Sequence, residues 1–130
     1  MLANETRVEA YPFCLHHDGR PMVVETKGII RGVVDDLLRG APAPLLAGKF
    51  HTTMTEIILI VCCHIRELTS LGQVALSGGV FQNIRLLTMV VSRLMAHGFE
   101  VYTHTQVPSN DGGISLGQAA VANAILATRR

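Results

Sequence analysis

The fold class is decided by the stretch Leu76-Ser77-Gly78-Gly79-Val80-Phe81-Gln82-Asn83. Residues 73–77 form a short apolar run that predicts a buried strand. From about residue 81 to residue 97, apolar side chains recur at the spacing of one helix face. The paired glycines permit a tight turn between the two, so this part of the chain is predicted to run strand, turn, helix.

Upstream, the sequence predicts a hairpin and a helix. Residues 11–15 and 22–25 are short apolar runs on either side of an Asp18-Gly19 turn signal, which is typical of two antiparallel strands. Thr26 stands where a helix N-cap belongs, and apolar residues then recur at helical spacing. Gly40 and Pro42 are expected to end that helix.

The rest of the chain continues the alternation of helices and strands. Residues 42–48 are expected to form a linker or a short helical turn, followed by a long helix from residue 49 that Gly72 ends. Beyond the central stretch, Gly98 caps the helix and residues 99–104 alternate as a strand. A last helix is predicted to begin at about residue 111 and to end before Arg129.

The predicted order is strand, strand, helix, helix, strand, helix, strand, helix, which indicates an α/β layered domain over residues 1–130 with parallel later strands. Ligands in such sheets lie beyond the carboxyl ends of strands. The loops 77–80 and 109–113 both occupy that position. We therefore expect the functional edge of the domain where these two loops meet.

Composition narrows the classes of protein to which the chain can belong. Of 130 residues, 48% are hydrophobic and only 16% are charged, which indicates either a dense core or a face that docks against another lobe or subunit. We favour the docking face, because so few charges are available to coat the outside. It also predicts self-association, with a symmetric homodimer as its form. The net charge of +1 without a basic run argues against a nucleic-acid partner.

Neither a membrane nor an oxidising compartment is expected. No apolar stretch is expected to reach membrane-spanning length, since the run 56–63 is followed by His64, Arg66 and Glu67. The polar start of the chain does not fit a signal peptide. The three cysteines suit neither a disulfide framework nor a zinc site. We expect a cytoplasmic protein.

The loop Ser77-Gly78-Gly79-Val80 is a candidate nucleotide site. Its glycines remove the Cβ atoms that would keep a ligand from the backbone, and the helix that follows points free N–H groups at the same place. Asn83 can donate and accept hydrogen bonds, as a ribose hydroxyl or a base edge requires. A plain strand-to-helix turn explains the same residues, and the stretch is neither a Walker A loop nor a Rossmann fingerprint.

The run Asn110-Asp111-Gly112-Gly113 offers one carboxylate at a predicted helix start. Asp111 is either a helix N-cap, the common role of Asn or Asp there, or a ligand for a hard cation with room for phosphate beside the glycines. One carboxylate does not hold a metal ion alone. The histidines show no metal-ligand spacing, and of them only His104 falls on the expected functional edge.

The stretch 76–83 resembles the signature of HypF-type carbamoyltransferases. The resemblance continues through residues 97–101, His104 and the run 107–119. Upstream, Tyr11-Pro12-Phe13 and Lys49-Phe50-His51 are also similar to the family, so the resemblance spans almost the whole chain.

The resemblance implies an actin-like, sugar-kinase-like fold of two lobes, of which this chain is the C-terminal one: a ribonuclease-H-like lobe with a mixed sheet flanked by helices. In this family carbamoyl phosphate and ATP yield carbamoyl-adenylate in the cleft between the lobes. The carbamoyl group then passes to a C-terminal cysteine of a partner protein, in nickel–iron hydrogenase maturation. ATP and a divalent metal, magnesium or iron, are thus the implied cofactors of the complete enzyme.

Residue by residue, Asn83 resembles the family's nucleotide-contacting asparagine, with Gly78 and Gly79 lining the adenosine side. Ser77 and Asn110 belong to the same two motifs and are assigned to nucleotide binding with them. Asp111 resembles the family's metal-binding aspartate. The resemblance assigns no catalytic residue to this chain.

Three parts of the family pattern are absent from the sequence: the His-x-x-x-His pair of the first lobe, the cysteine-rich zinc modules, and the acylphosphatase-like and adenylate-forming domains. The chain alone is therefore expected to be inactive and to need the missing N-terminal lobe, with a carbamoyl-accepting maturation protein as the further partner. Two alternatives stay open. One is a non-catalytic interaction module, and the other is the equivalent lobe of a small-molecule O-carbamoyltransferase.

Overall fold

A computed structural model describes residues 8–16 and 22–128. It confirms the predicted order of elements, which are β1 (Cys14–His16), β2 (Val23–Glu25), α1 (Lys27–Leu38), α2 (Ala43–Thr69), β3 (Gln73–Leu76), α3 (Ile84–Ala96), β4 (Glu100–Thr103) and α4 (Ile114–Thr128). The chain divides into two compact units, Met1–Ser70 and Leu71–Arg130, which we describe separately. Within the described residues the strands form two small sheets, β1 with β2 and β3 with β4.

The first unit contains the predicted hairpin strands. β1 and β2 are antiparallel, with Leu15 opposite Val24, while the Asp18-Gly19 turn lies outside the described residues. The core joins the segment before β1 to both helices, because Tyr11, Ile29 and Ile57 are buried together. Thr26 takes the N-cap position of α1 but makes no side-chain cap hydrogen bond.

Helix α2 begins earlier than the sequence predicts. Residues 42–48, expected to form a linker or a short helical turn, are helical but belong to α2 itself, because Pro42 is the N-cap and the helix runs from Ala43. The following proline lies in the first turn, where its missing N–H and fixed φ are compatible with a helix. The helix ends before Gly72: Thr69 is its last residue, and Ser70 adopts a left-handed conformation with φ 60°.

The greater length of α2 also corrects the expectation about membrane-spanning stretches. Among the described residues, Ala43–Thr69 is one helix that is long and apolar enough to cross a membrane by length and composition. One side of the helix packs inside the first unit. The residues buried there are Thr53, Thr55, Ile57 and Leu59. Core helices of soluble proteins have the same length and composition, so this finding by itself indicates no membrane location.

A polar cluster links three segments of the first unit. Tyr11 donates its hydroxyl to Asp36 Oδ2 at 3.1 Å, and Lys49 Nζ donates to the same oxygen at 2.6 Å. The Lys49 ammonium also lies 4.5 Å from the centre of the Tyr11 ring. The hydrogen bond from Lys49 holds the pKa of Asp36 below its ordinary value, and burial raises the pKa of Tyr11. The cluster therefore ties the N-terminal segment to α1 and α2.

The second unit is a strand-helix-strand arrangement. β3 and β4 are parallel, as predicted, and Leu76 is paired with Thr103 at their carboxyl ends. α3 connects them and buries one face of its side chains, with Val90 and Leu94 fully enclosed. Gly98 follows α3 with φ 78°, the left-handed conformation expected of a helix-ending glycine. This packing places the two candidate loops beyond neighbouring strand ends.

Candidate functional site

The two candidate loops meet within the second unit. Ser77 follows β3 and His104 follows β4, and the His104 Nε2 and Ser77 Oγ atoms are 2.9 Å apart in a hydrogen bond. One residue further along, Gly78 N donates to the carbonyl oxygen of Ser109 at 2.7 Å. A side-chain contact and a backbone contact thus join segments that are about thirty residues apart in sequence. The predicted meeting of the loops at one edge is confirmed.

Gly78 is the conformationally demanding residue of the first loop. Its φ of 102° and ψ of 157° lie in a region that is essentially restricted to glycine. A Cβ atom there would meet no atom within 4 Å, so the space beside the backbone is open. Gly79 has no positive φ, so backbone conformation explains only the first of the two glycines.

The helix after the glycines starts later than predicted. Gly79–Gln82 form a 3₁₀ turn, and α3 begins only at Ile84. Asn83 is the N-cap rather than a first-turn residue, because its backbone is extended and its Oδ1 accepts a hydrogen bond from Leu86 N at 3.1 Å. The side-chain oxygen of Asn83 therefore has a structural role in addition to the predicted one in nucleotide binding.

The second loop resolves the alternative roles of Asn110 and Asp111 at the helix start. Asn110 is the cap, since its Oδ1 accepts a hydrogen bond from Gly112 N at 3.0 Å at the start of a 3₁₀ turn over Asp111–Gly113. The Asp111 carboxylate is exposed and takes no part in the hydrogen bonds or ion pairs among the described residues. The N-cap explanation therefore does not apply to Asp111.

Close packing surrounds the two glycines of the second loop. A Cβ atom on Gly113 would lie 2.7 Å from the carbonyl oxygen of Pro108, and one on Gly112 would lie 3.1 Å from Asn110 Oδ1. The first distance is shorter than a Cβ contact allows, and the obstacle is backbone. Packing therefore gives a steric reason for glycine at position 113, and the expectation that the two glycines leave room for phosphate and water stays a prediction.

An open cleft of about 290 Å³ lies at this edge, between the 3₁₀ turn after the first loop and the segment that leads into the second loop. Sequence reasoning singled out His104 among its lining residues but assigned no site role to the others. Six of these other residues lie within the stretches 76–83 and 107–119 that resemble the family, which is the signal that could have identified them. The further lining residues are Leu76, Phe81, Gln82, Leu87, Thr103, Val107, Pro108 and Ser109.

Among the described residues of the two loops, Asp111 supplies the one carboxylate that could bind a metal ion. Within residues 8–16 and 22–128, no three His, Cys, Asp or Glu side chains are grouped closely enough to hold a metal ion. The described residues therefore do not form a metal centre by themselves, and we derive no chemical step through a metal.

Comparison with known proteins identifies the family. Residues 1–118 match the family described as "Carbamoyltransferase, Kae1-like Domain, second subdomain". The chain belongs to the HypF carbamoyltransferase family. It is 39% identical to carbamoyltransferase HypF of Rhodobacter capsulatus and 29% identical to that of Synechocystis, with 81% and 85% of this chain covered.

A solved structure of the same family confirms the fold class. This chain resembles full-length HypF in its phosphate- and nucleotide-bound form with a TM-score of 0.86 and 40% identity over 91% of its length. The chain is thus an α/β lobe of the actin-like kind, with small sheets flanked by helices. It spans only 16% of that protein, and 16% and 14% of the two HypF relatives.

Proposed function

We propose that this chain is one half of an ATP-dependent carbamoyltransferase site, in which carbamoyl passes from carbamoyl-adenylate to a cysteine of a partner protein during nickel–iron hydrogenase maturation. The observation that carries the proposal is the contact between the two motif loops, through His104 with Ser77 and Gly78 with Ser109. Family membership supports the chemistry, and the short span of the chain within its relatives supports the role of a single lobe.

The nucleotide is proposed to lie along the first loop. Gly78 has open space where a Cβ atom would be, and the 3₁₀ turn that follows starts with backbone N–H groups suited to an anion. Ser77, Gly79 and Asn110 border the same place and can supply polar contacts. Asn83 is proposed to contact the adenosine while its Oδ1 caps α3.

Asp111 is proposed as one ligand of a divalent metal whose other ligands come from the missing lobe. Two observations support this role. The Asp111 carboxylate is exposed and makes no hydrogen bond or ion pair among the described residues, and Asp111 lies one residue after Asn110. A divalent cation there would neutralise phosphate charge. What this chain's own residues do is bind and orient the nucleotide.

We further propose that residues 1–130 act as one lobe in the cytoplasm, together with the missing N-terminal lobe and a carbamoyl-accepting maturation protein. Support comes from the family match, which extends over residues 1–118 and so includes the first compact unit and most of the second. Hydrogenase maturation requires a reduced acceptor cysteine, which suits that compartment.

Calorimetric titration of the chain with ATP tests the nucleotide site. We expect binding by the unaltered chain and weaker binding by Gly78→Ala, because alanine disfavours the backbone conformation at that position. Gly72→Ala is the matched control, since Gly72 has no positive φ and a Cβ atom there would meet nothing within 4 Å.

Equal ATP affinity of the unaltered chain and Gly78→Ala would contradict the proposed place of the nucleotide. If ATP binds neither the chain nor the chain combined with the rest of a HypF relative, the proposed function itself is wrong.

A further inference from the structure

Helix α4, Ile114–Thr128, is exposed along its whole length. It contains no charged residue, and its large apolar side chains are about half exposed or more. Those side chains are Ile114 at 54%, Leu116 at 58%, Val121 at 60%, Ile125 at 48% and Leu126 at 65%. Exposure of this much apolar surface on one element marks a surface that is covered in the working protein.

The apolar residues of α4 are distributed around the helix. At about 100° per residue, Leu116 and Ile125 lie on opposite sides. Between them in sequence lie Gly117, four alanines and Val121, with two uncharged polar residues, Gln118 and Asn123. A helix that is apolar all round is normally enclosed on all sides.

The length of α4 limits what can enclose it. Fifteen residues span about 22 Å, which is less than the roughly 30 Å core of a bilayer. A second copy of the chain that packs helix against helix would cover one stripe of α4 and leave the opposite stripe exposed. A larger protein body that surrounds the helix covers both.

The family comparison indicates which protein is large enough to enclose α4. The chain spans 14–16% of the HypF relatives, so most of the sequence with which such a lobe works lies outside it. The lateral surface of a helix of this length is roughly 700 Å², close to the about 800 Å² that one partner buries in a standard interface.

We propose that α4 is the docking helix of this lobe, enclosed by the part of a HypF protein that this chain does not contain. The inference rests on the proposed function and adds the surface by which the missing part is held. Asp111–Gly113 lead directly into α4, so a body that surrounds the helix lies beside the Asp111 carboxylate. Docking of the missing part on α4 then completes the proposed nucleotide and metal cleft beside Asp111.

Binding between the full chain and the Rhodobacter capsulatus relative, from which the segment aligned with this chain has been removed, tests the inference. We expect a complex, and we expect Leu116→Glu and Ile125→Glu each to weaken it by at least about tenfold, because each buries an unpaired charge on a different side of α4. Ser92→Glu, on the exposed side of α3, is the control and should bind normally. Circular dichroism should be unchanged, because glutamate is a good helix former at exposed positions.

Absence of a complex, or a complex that tolerates both glutamates, overturns the inference. If only one of the two glutamate variants loses binding and the chain self-associates in sedimentation, a second copy is the occupant of α4. That result also overturns the inference. The proposed function is judged separately by ATP affinity. A complex that forms through α4 but does not bind ATP refutes the nucleotide site and leaves the docking helix standing.

Discussion

Asn83 and Asn110 have the same local task on the two loops of the candidate site. Each uses its Oδ1 to accept a backbone N–H in the first turn that follows, Leu86 N for Asn83 and Gly112 N for Asn110. Such caps typically contribute about 1 kcal/mol to stability. Any test of their role in ligand binding must therefore keep the cap intact.

Replacement of Asn83 can separate its two roles. Asn83→Ser retains a capping oxygen but loses the amide, whereas Asn83→Ala loses both. We expect both variants to bind ATP up to about tenfold more weakly, with or without metal, because one neutral hydrogen bond is lost. Only Asn83→Ala should also lower the melting temperature. Calorimetric measurement of ATP affinity distinguishes the two roles. If Asn83→Ser binds ATP with normal affinity, the role of Asn83 is only to cap α3.

Asp111 is expected to act through a cation. In the chain combined with the rest of a HypF relative, Asp111→Ala should remove the dependence of ATP binding on magnesium or iron and leave metal-free binding nearly unchanged. The cap belongs to Asn110, so the substitution leaves the local fold in place. Asp35→Ala, at an exposed position of the first unit, controls for the lost charge. If the metal dependence persists in Asp111→Ala, the metal assignment is wrong.

At the scale of elements, the first unit is held by a charged hydrogen bond between α1 and α2. Lys49 on α2 and Tyr11 both donate to Asp36 on α1. The pKa of Asp36 is lowered, chiefly by the Lys49 hydrogen bond, and that of Lys49 is raised, chiefly by Asp36. The charged pair therefore stabilises the folded state at pH values between the pKa of Asp36 and the pKa of Lys49.

The pH dependence of this pair has a definite sign. The stability that Asp36 contributes is fully present above its unfolded pKa, ordinarily 3.8, and is lost as the pH falls through its lower folded pKa. Chemical denaturation should show Asp36→Asn less stable than the unaltered chain at neutral pH. The difference should shrink under strongly acidic conditions. A difference that stays constant into acid would contradict the charged role of Asp36.

The second unit depends on the side chains that α3 buries. Leu94 and Val90 are fully enclosed, and Phe99 before β4 is buried with them in the same unit. Leu94→Ala should lower the free energy of unfolding by about 2–5 kcal/mol because it leaves a cavity. Leu126→Ala, at an exposed position of α4, is the matched control and should cost far less. Equal losses in denaturant titration would contradict the assigned core.

At the scale of the whole molecule, the chain corresponds to only 14–16% of the length of its HypF relatives. Its 130 residues contain no His-x-x-x-His pair, which the family resemblance places in the first lobe. We expect carbamoyl-phosphate-dependent release of pyrophosphate from ATP to stay at background with this chain alone. A full-length HypF relative in the same assay is the positive control. Robust turnover by the chain alone would refute its role as half of a site.

Local sequence determined the kind and order of the elements and the family to which the chain belongs. Apolar periodicity and turn residues act over a few positions, so β3, the glycine turn and the long helices can be recognised without a structure. The residues at which the helices begin could not be predicted as well from the sequence. The early start of α2 depends on Pro42 as a cap, and the late start of α3 depends on the bond between Asn83 and Leu86.

Tertiary structure alone decided which residues meet. The contacts of Gly78 with Ser109 and of Ser77 with His104 join residues that are distant in sequence, and parallel pairing of β3 with β4 creates them. The same holds for Gly113, whose need for glycine arises from the Pro108 carbonyl. Composition predicted an apolar docking face, and the structure shows that the apolar side chains of α4 are exposed. Such exposure cannot be predicted from composition, because it depends on which neighbours each helix finds.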